Sequence, residues 1–307
     1  MSEQPDPATS TKISWGLRRR LEFIDFRLAW EGRINRKDLV ERFQMSPPQA
    51  TNDLERYAQQ APGNIRYDAV LKTFLRGDGF VPRFVGGQAD RYLLQLQALR
   101  LGWLEREQTF FNHIPSLDVA TIRRRVVPDS IMMTITDAIR RQSRISMRYW
   151  TTSGKPVATR IVAPHALASG AGRWHMRAWN KEHGDFRDFN LTRIESAEPV
   201  DGPAVDAKFD FEWTTIGGLK LRANPNLPEE EQAAIRRDYE FDGDELIVPC
   251  RLALMFYLRA EFGLDGTKTD PRAQQLVLEN QEELEELRLA ARKMSIISLQ
   301  SEDAARD

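Results

Sequence analysis

The chain has 307 residues, 41% of them hydrophobic and 29% charged, which is the composition of a globular protein with room for two or three domains. No apolar run approaches the ~20 residues needed to cross a bilayer, and a single cysteine, Cys250, excludes an intrachain disulfide and a cysteine-rich zinc site, so a cytoplasmic protein is expected. The net charge of −1 hides a segregation: residues 12–83 hold 14 basic and 9 acidic groups, residues 116–200 hold 14 and 8, and residues 201–307 hold 13 and 23. Two basic parts and one acidic part imply that the first two meet polyanions and the last does not.

Residues 1–12 are polar and proline-bearing, with no signal-peptide core, and predict a disordered arm. Leu17, Leu21, Ile24 and Leu28 then recur at spacings of 4, 3 and 4, which predicts an amphipathic helix from near Ser14 to Gly32. Asn35 caps a second helix carrying Leu39, Val40 and Phe43 on one face. Ser46, Pro47 and Gln49 form a capping box with proline at the first helical position, and Ala50, Leu54, Tyr57 and Ala58 are the expected buried stripe of a third helix. The short step from Phe43 to Pro47 has helix-turn-helix dimensions. Residues 64–67 and 72–75 flank a turn at Asp68 and Ala69 and read as a hairpin, so residues 13–84 predict a winged helix-turn-helix.

The third helix turns Pro48, Gln49, Thr51, Asn52 and Arg56 away from its stripe, short polar groups for base edges with an arginine for phosphate. Ser46 at the cap, Arg36 and Lys37 opening the second helix, and Arg66, Lys72 and Arg76 on the wing complete the expected contacts with duplex DNA. Exposed Asn, Gln and Arg are also ordinary helix surface; the capping box, the wing and the basic charge together weigh for DNA.

Residues 85–128 read as a helical connector. Gly86 and Gly87 break the chain, six leucines from Leu93 to Leu104 predict a helix over 89–105, and 121–127 predict a further short element. Its three arginines, Arg123, Arg124 and Arg125, fit a solvated face or a binding patch. A helix over 128–142, with Ile131, Met132, Ile135 and Ile139, leads into the next module.

From 145 to 198 the apolar residues alternate or group: Ile145, Met147, Tyr149; Trp174, Met176, Ala178; Phe186, Phe189, Leu191. Turn clusters at 152–155, 169–172 and 181–185 separate them, so residues 129–200 predict an antiparallel meander of four or five strands, a small curled sheet or SH3-like barrel. Arg148, Arg160, Arg173, Arg177, Arg187 and Arg193 lie on or beside those strands. A forked guanidinium is the usual receptor for phosphate or carboxylate, so an anionic effector, a nucleotide or nucleic acid, is expected.

In residues 201–307, Phe209, Phe211 and Trp213 predict a short strand, Pro228 starts a helix, and 245–248 and 275–278 read as strands. Leu252, Met255, Phe256 and Leu258 predict a helix ending at Gly263, and 280–293 a highly charged last helix. The part reads as α+β.

Enzymatic signatures are missing: no phosphate-binding GxxxxGK loop, no GxSxG elbow, and no pairing of His113, His165, His175 and His183. No catalytic site, metal or cofactor is expected. Gly170, Ala171 and Gly172 read as a hairpin turn, and His175 as a ligand contact or a hydrogen-bonding surface group.

The order Tyr149, turn, Arg160, Pro164, Gly-rich turn, Trp174-His175-Met176, turn, Phe186-Arg187, Phe189, Arg193-Ile194 resembles the WYL domain, an Sm-like barrel named for a Trp-Tyr-Leu triplet of which Trp174 is kept. The resemblance implies that Tyr149, Arg160, His175, Arg177, Arg187 and Arg193 lie around a ligand pocket. The N-terminal pattern is similar to the DNA-binding domain that precedes WYL modules, and residues 201–307 to the dimerisation extension that follows them. A homodimeric regulator reading an inverted repeat is thereby implied, a repressor of the type that sits beside phage-defence genes. Two other readings stay open: a single-strand or RNA-binding protein stacking bases on Tyr149, Trp174 and Trp179, and a nuclease whose carboxylates the sequence does not mark.

Overall fold

The Ser14 hydroxyl accepts from the Leu17 amide and starts α1 (Trp15–Glu31), which Gly32 ends at φ +72 in the left-handed region. The computed structural model describes residues 13–85, 89–122, 124–152, 156–264 and 270–306. The expected arm at 1–12, the break at Gly86 and Gly87, Arg123, and the turn residues 153–155 lie outside them. The chain divides into two units, 1–122 and 123–307.

In the first unit β1 (Arg33–Ile34) follows α1, and Asn35 leads into α2 (Arg36–Phe43), its amide held by the Asp38 carboxylate at 2.7 Å. Ser46 caps α3 (Pro47–Gln60) by accepting from the Gln49 amide at 3.4 Å. The wing is β2 (Ile65–Asp68) and β3 (Thr73–Arg76), and β1 adds a third strand in the order β1-β3-β2. At its base a Cβ on Gly77 would lie 1.8 Å from the Gly63 carbonyl oxygen, so only glycine lets the strands converge there.

Leu21, Ile24 and Leu28 of α1 are fully buried, as the periodicity requires. On α3 the stripe runs Ala50, Leu54, Tyr57 and Ala61, while Ala58, one residue past Tyr57 and so about 100° round the helix, is exposed rather than buried as expected. Asp53 is buried beside the stripe because Arg20 of α1 grips it at 2.6 and 3.4 Å. Asp25, fully buried, accepts from the Tyr57 hydroxyl at 2.5 Å and from the amides of Arg83, Phe84 and Val85 at 2.9 Å each, tying the chain after the wing to α1. Helix α4 (Ala89–Arg100) stops five residues earlier than expected, with Gly102 at φ +71. Its Leu96 joins Phe110 and Phe111 in the core built on α1.

The second unit begins with residues 124–127, which form neither helix nor strand, correcting the expected element there. Arg124 donates to the Gly172 carbonyl, and Arg125 to those of Ile194 at 2.6 Å and Thr192 at 3.1 Å, so these two arginines hold backbone. Helix α5 (Asp129–Arg141) lays Ile131 and Ile135 on the sheet of β4 (Ser143–Tyr149), β5 (Ala158–Gly170), β6 (Arg173–Asn180), β7 (Asp185–Asn190) and β8 (Ile194–Pro203). Ala171 and Gly172, at φ +49 and +65, make the β5–β6 hairpin turn that the sequence implied.

The sheet order is β7-β6-β5-β4-β8, and no pairing among the described residues joins β7 to β8. The expected barrel is therefore an open antiparallel sheet by its hydrogen bonds. A helix stands against the β7 edge where closure would otherwise be needed.

The remainder is α+β. The expected strand through Phe209, Phe211 and Trp213 is instead a 3-10 turn (Ala207–Phe209) and helix α6 (Phe211–Thr214). Asp210 between them accepts from the Trp213 amide at 3.2 Å, a local cap that overrides the period-two pattern. Strand β9 (Ile216–Ala223) pairs with β10 (Leu246–Arg251) and β11 (Leu276–Leu278) in the order β10-β9-β11; α7 (Glu229–Asp238) lies between β9 and β10 in the chain, and α8 (Met255–Phe262) between β10 and β11. Leu219, Leu252 and Leu284 centre this core. The last helix, α9 (Gln281–Arg306), runs thirteen residues past the expected end and is the helix that covers β7.

Candidate nucleic-acid interface and anion cleft

In the first unit, α2, α3 and the wing surround a groove of about 630 Å³ lined by Arg36, Lys37, Thr51, Tyr67, Lys72 and their neighbours. Four of the expected contact residues thus share one concavity. Thr51 donates to the Pro47 carbonyl at 3.1 Å and accepts from Arg36 at 3.5 Å, which steers that guanidinium toward the start of α3. Ser46, Gln49, Asn52 and Arg56 are exposed along α3, and Arg66 is exposed on β2. Arg76 is spent elsewhere, donating to the Ala29 carbonyl at 2.9 Å. Exposed amides and cations at the first turns of a helix, with more cations on an adjoining hairpin, can meet base edges and phosphates together.

In the second unit a cleft of about 760 Å³ opens between β6 and β7 on one side and α8 and α9 on the other. Arg177, Arg187, Arg259, Arg288 and Arg292 line it, with Asp188, Glu212 and Glu285. The arginines divide into two kinds. Arg177 is buried and fully engaged: Nε and Nη2 donate to Asp210 at 2.7 and 2.9 Å, Nη2 also to Glu212 at 3.1 Å, and Nη1 to Asp188 at 3.3 Å. Burial works against its charge, but the Asp210 hydrogen bond and the three carboxylates outweigh it and raise its pKa above the ordinary value. Burial holds the Asp188 carboxyl above its ordinary range despite Arg177, while Arg177 and His165 bring Asp210 below it. His165 Nε2 lies 2.9 Å from the same Asp210 carboxylate.

Arg187 and Arg292 are different. Both bind one carboxylate, Asp185, at 2.7 and 2.6 Å, from β7 and α9, and each side chain is 40% exposed to the cleft. Their pull outweighs burial and lowers the Asp185 pKa. Arg288 joins Glu212 at 2.9 Å to Glu285 at 2.6 Å, and Arg259 has a buried Nε with no hydrogen-bond partner. Phe256, 74% exposed, stands at the same cleft.

Of the residues expected around the pocket, only Arg177 and Arg187 line this cleft. Tyr149 is buried, its hydroxyl accepting from the Asn190 amide at 3.1 Å. Arg160 pairs with Glu182. His175 is buried against the Tyr257 ring at 4.3 Å, its Nδ1 unpartnered. Burial, then Arg173 and Arg193, push its pKa down to about 4, which keeps it neutral near pH 7; Arg193 is half-buried at the end of the 3-10 turn Leu191–Arg193. The aromatic platform needed for single-strand stacking is not assembled: Tyr149 is in the core, Trp179 lies under the Arg144 guanidinium at 5.3 Å, and Trp174 is exposed.

Sequence reasoning missed Arg259, Arg288 and Arg292. The i, i+4 pair of arginines on an otherwise acidic helix was the available signal. Among the described residues no group of three His, Cys, Asp or Glu could hold a metal ion, and no helix is long and apolar enough to cross a membrane.

Three family models match in succession: the BrxR transcriptional regulator winged helix-turn-helix domain over residues 16–98, the WYL domain over 130–199, and the BrxR transcriptional regulator C-terminal dimerization domain over 217–284. The DNA-binding transcriptional repressor CapW of Stenotrophomonas maltophilia is 34% identical over 280 residues, 90% of this chain and 94% of that one. The CapW repressor of Pseudomonas aeruginosa is 33% identical over 297 residues, 93% of this chain and 96% of its own. Among solved structures, the proteasome accessory factor PafBC of Arthrobacter aurescens aligns with 96% of this chain and 52% of its own at 15% identity and a TM-score of 0.26, too slight a likeness to bear on the fold.

Proposed function

The chain belongs to the family of CapW DNA-binding transcriptional repressors, and from that premise we propose that it represses a phage-defence operon as a homodimer on an inverted repeat, under control of an anionic effector. It is a DNA-binding transcriptional repressor with a C-terminal dimerization domain. The observation that carries the DNA reading is the groove where Arg36, Lys37, Thr51 and Lys72 meet beside the exposed first turns of α3. Gln49 and Asn52 would reach base edges; Ser46, Arg36, Lys37, Arg56, Arg66 and Lys72 would meet the backbone. Cleft arginines that are themselves part-exposed and held by a single buried carboxylate support the effector reading, with a nucleotide or nucleic acid as the ligand and the cytoplasm as its place of action. The apolar residues Leu289, Met294 and Ile297, each more than half exposed on α9, support a second copy as the partner of that helix.

The test is a gel shift with a duplex that the full-length protein selects from a random library. Replacing Arg56 by Ala should weaken binding to any duplex alike, whereas replacing Asn52 by Ala should cost about 1–3 kcal/mol on the selected duplex and little on unrelated DNA. Equal losses on both duplexes from the Asn52 change would remove α3 as the reading helix.

A further inference from the structure

The loop joining β2 to β3 carries two adjacent exposed aliphatic residues on a fixed backbone. Asp68 closes it: one carboxylate oxygen accepts from the amides of Val70 and Leu71 at 2.9 Å each, an Asx turn, and Lys72 leaves the loop at φ +50. With the backbone so fixed, two aliphatic side chains are held outward. Val70 is 90% exposed, the highest value of any large hydrophobic among the described residues, and Leu71 is 64% exposed. Neither belongs to the core built on α1. Turn residues are ordinarily polar, and adjacent aliphatics on a rigid tip are a liability unless something covers them.

The surroundings indicate what does. Arg66 and Lys72 are exposed on either side of the tip, and Lys72 also lines the groove shared with Arg36, Lys37 and Thr51. Asp68, the carboxylate at the tip, is turned onto the loop amides. An apolar point ringed by cations complements a nucleic-acid duplex: the cations meet phosphates and the aliphatics meet base pairs. With α3 in the major groove, a wing on the same face reaches the adjoining minor groove.

Resting on the DNA reading above, we propose that Val70 and Leu71 form an apolar wedge that enters the minor groove beside each half-site, partly unstacks one base step and bends the duplex. Such a wedge favours pyrimidine–purine steps, which kink most easily, at a position that no hydrogen bond reads. The wing then supplies sequence preference through deformability, while α3 supplies it through base edges.

The test uses the full chain, the duplex it selects from a random library, and circularly permuted fragments carrying that duplex. The wild type should bend it by roughly 20–90°, the range apolar wedges produce, and prefer a TA or CA step under the wing. The double variant V70S/L71S should bind about tenfold more weakly, leave the duplex nearly straight and lose the step preference. Its salt dependence should persist, since the phosphate contacts remain. A straight wild-type complex, or equal bending by the variant, overturns the wedge. So does a variant that turns monomeric in sedimentation, which would assign the tip to a second copy. If the wild type selects no duplex, the DNA reading fails and takes the wedge with it.

Discussion

Replacing Arg177 by Ala should damage the second unit's stability rather than its sensing. The Arg177 side chain is 4% exposed, and its partners Asp210, Glu212 and Asp188 are 1%, 8% and 12% exposed. Removing the guanidinium leaves the buried Asp210 and Glu212 and the half-buried Asp188 facing one another, with His165 beside Asp210. Breaking a buried pair by deleting one partner costs about 3–5 kcal/mol; Glu212 keeps Arg288, so the loss falls on Asp210 and Asp188. For a unit of this size that is a fall in Tm of roughly 6–20 °C. Urea unfolding followed by tryptophan fluorescence reads it directly, because Trp213 sits on the helix that Asp210 caps. Arg177→Lys should recover part of the loss, since an ammonium keeps the charge but not the two-pronged grip on Asp210. The penalty should also shrink in acid. Asp210 has a depressed pKa, so the stability it contributes is present above its ordinary 3.8 and is lost as pH falls below that value. A loss under about 1 kcal/mol for Arg177→Ala would show that the cluster is not the buried network described.

The other predictions concern neighbours of that cluster. His175, with its pKa lowered from 6.5 to about 4, binds a proton in the unfolded chain first; stability should be full above pH 6.5 and fall as pH drops toward 4. Between pH 7 and pH 5 the loss should be about 2 kcal/mol, and His175→Gln should remove that slope in paired denaturation curves. Replacing Arg187 and Arg292 by Ala strips the buried Asp185 of both cations and should cost roughly 1–3 kcal/mol of stability, and in the folded variant should weaken binding of a short oligonucleotide at least tenfold by fluorescence anisotropy. Undiminished oligonucleotide binding would remove these arginines as the effector site. Met294→Asp with Ile297→Asp should give a monomer in sedimentation, with specific duplex affinity lost and weak salt-sensitive binding kept; an intact dimer would place the interface elsewhere.

What was legible in the sequence was local. Ser14, Asn35, Ser46 and Gly32 announce helix ends because a cap acts within four residues. The stripes of α1 and α5 are visible for the same reason. Buried polar residues are not, because their partners are distant in the chain: Asp25 meets an amide 60 positions away, and Arg177 meets Asp210 across 33. Counting arginines on the strands therefore found cations but not the carboxylates that consume them. The strand expected at Phe209 failed on a single capping carboxylate, and β9 escaped notice because Gly217 and Gly218 interrupt its apolar pattern. Gly217 is there for packing: a Cβ would come within 2.8 Å of Leu284.

The difference between Arg177 and the Arg187–Arg292 pair also constrains how an anion could regulate the protein. A ligand shifts an equilibrium only by its differential affinity for two arrangements. Arg177 offers none, since no anion competes with three carboxylates already in hydrogen-bond contact. Arg187 and Arg292 are joined through Asp185 alone, one on the sheet and one on α9. An anion that replaced Asp185 on both would rearrange the contact between β7 and the helix that carries the exposed Leu289, Met294 and Ile297. Moving such an equilibrium from 1:99 to 99:1 needs about 5.5 kcal/mol of preference, more than one exposed ion pair supplies. The proposed effector must therefore engage several arginines at once, and a polyphosphate backbone does so where a single phosphate does not. The protein should respond to oligonucleotides and remain indifferent to inorganic phosphate at equal charge concentration, in a gel shift on its selected duplex; release by phosphate would break the chain of reasoning at the valence step.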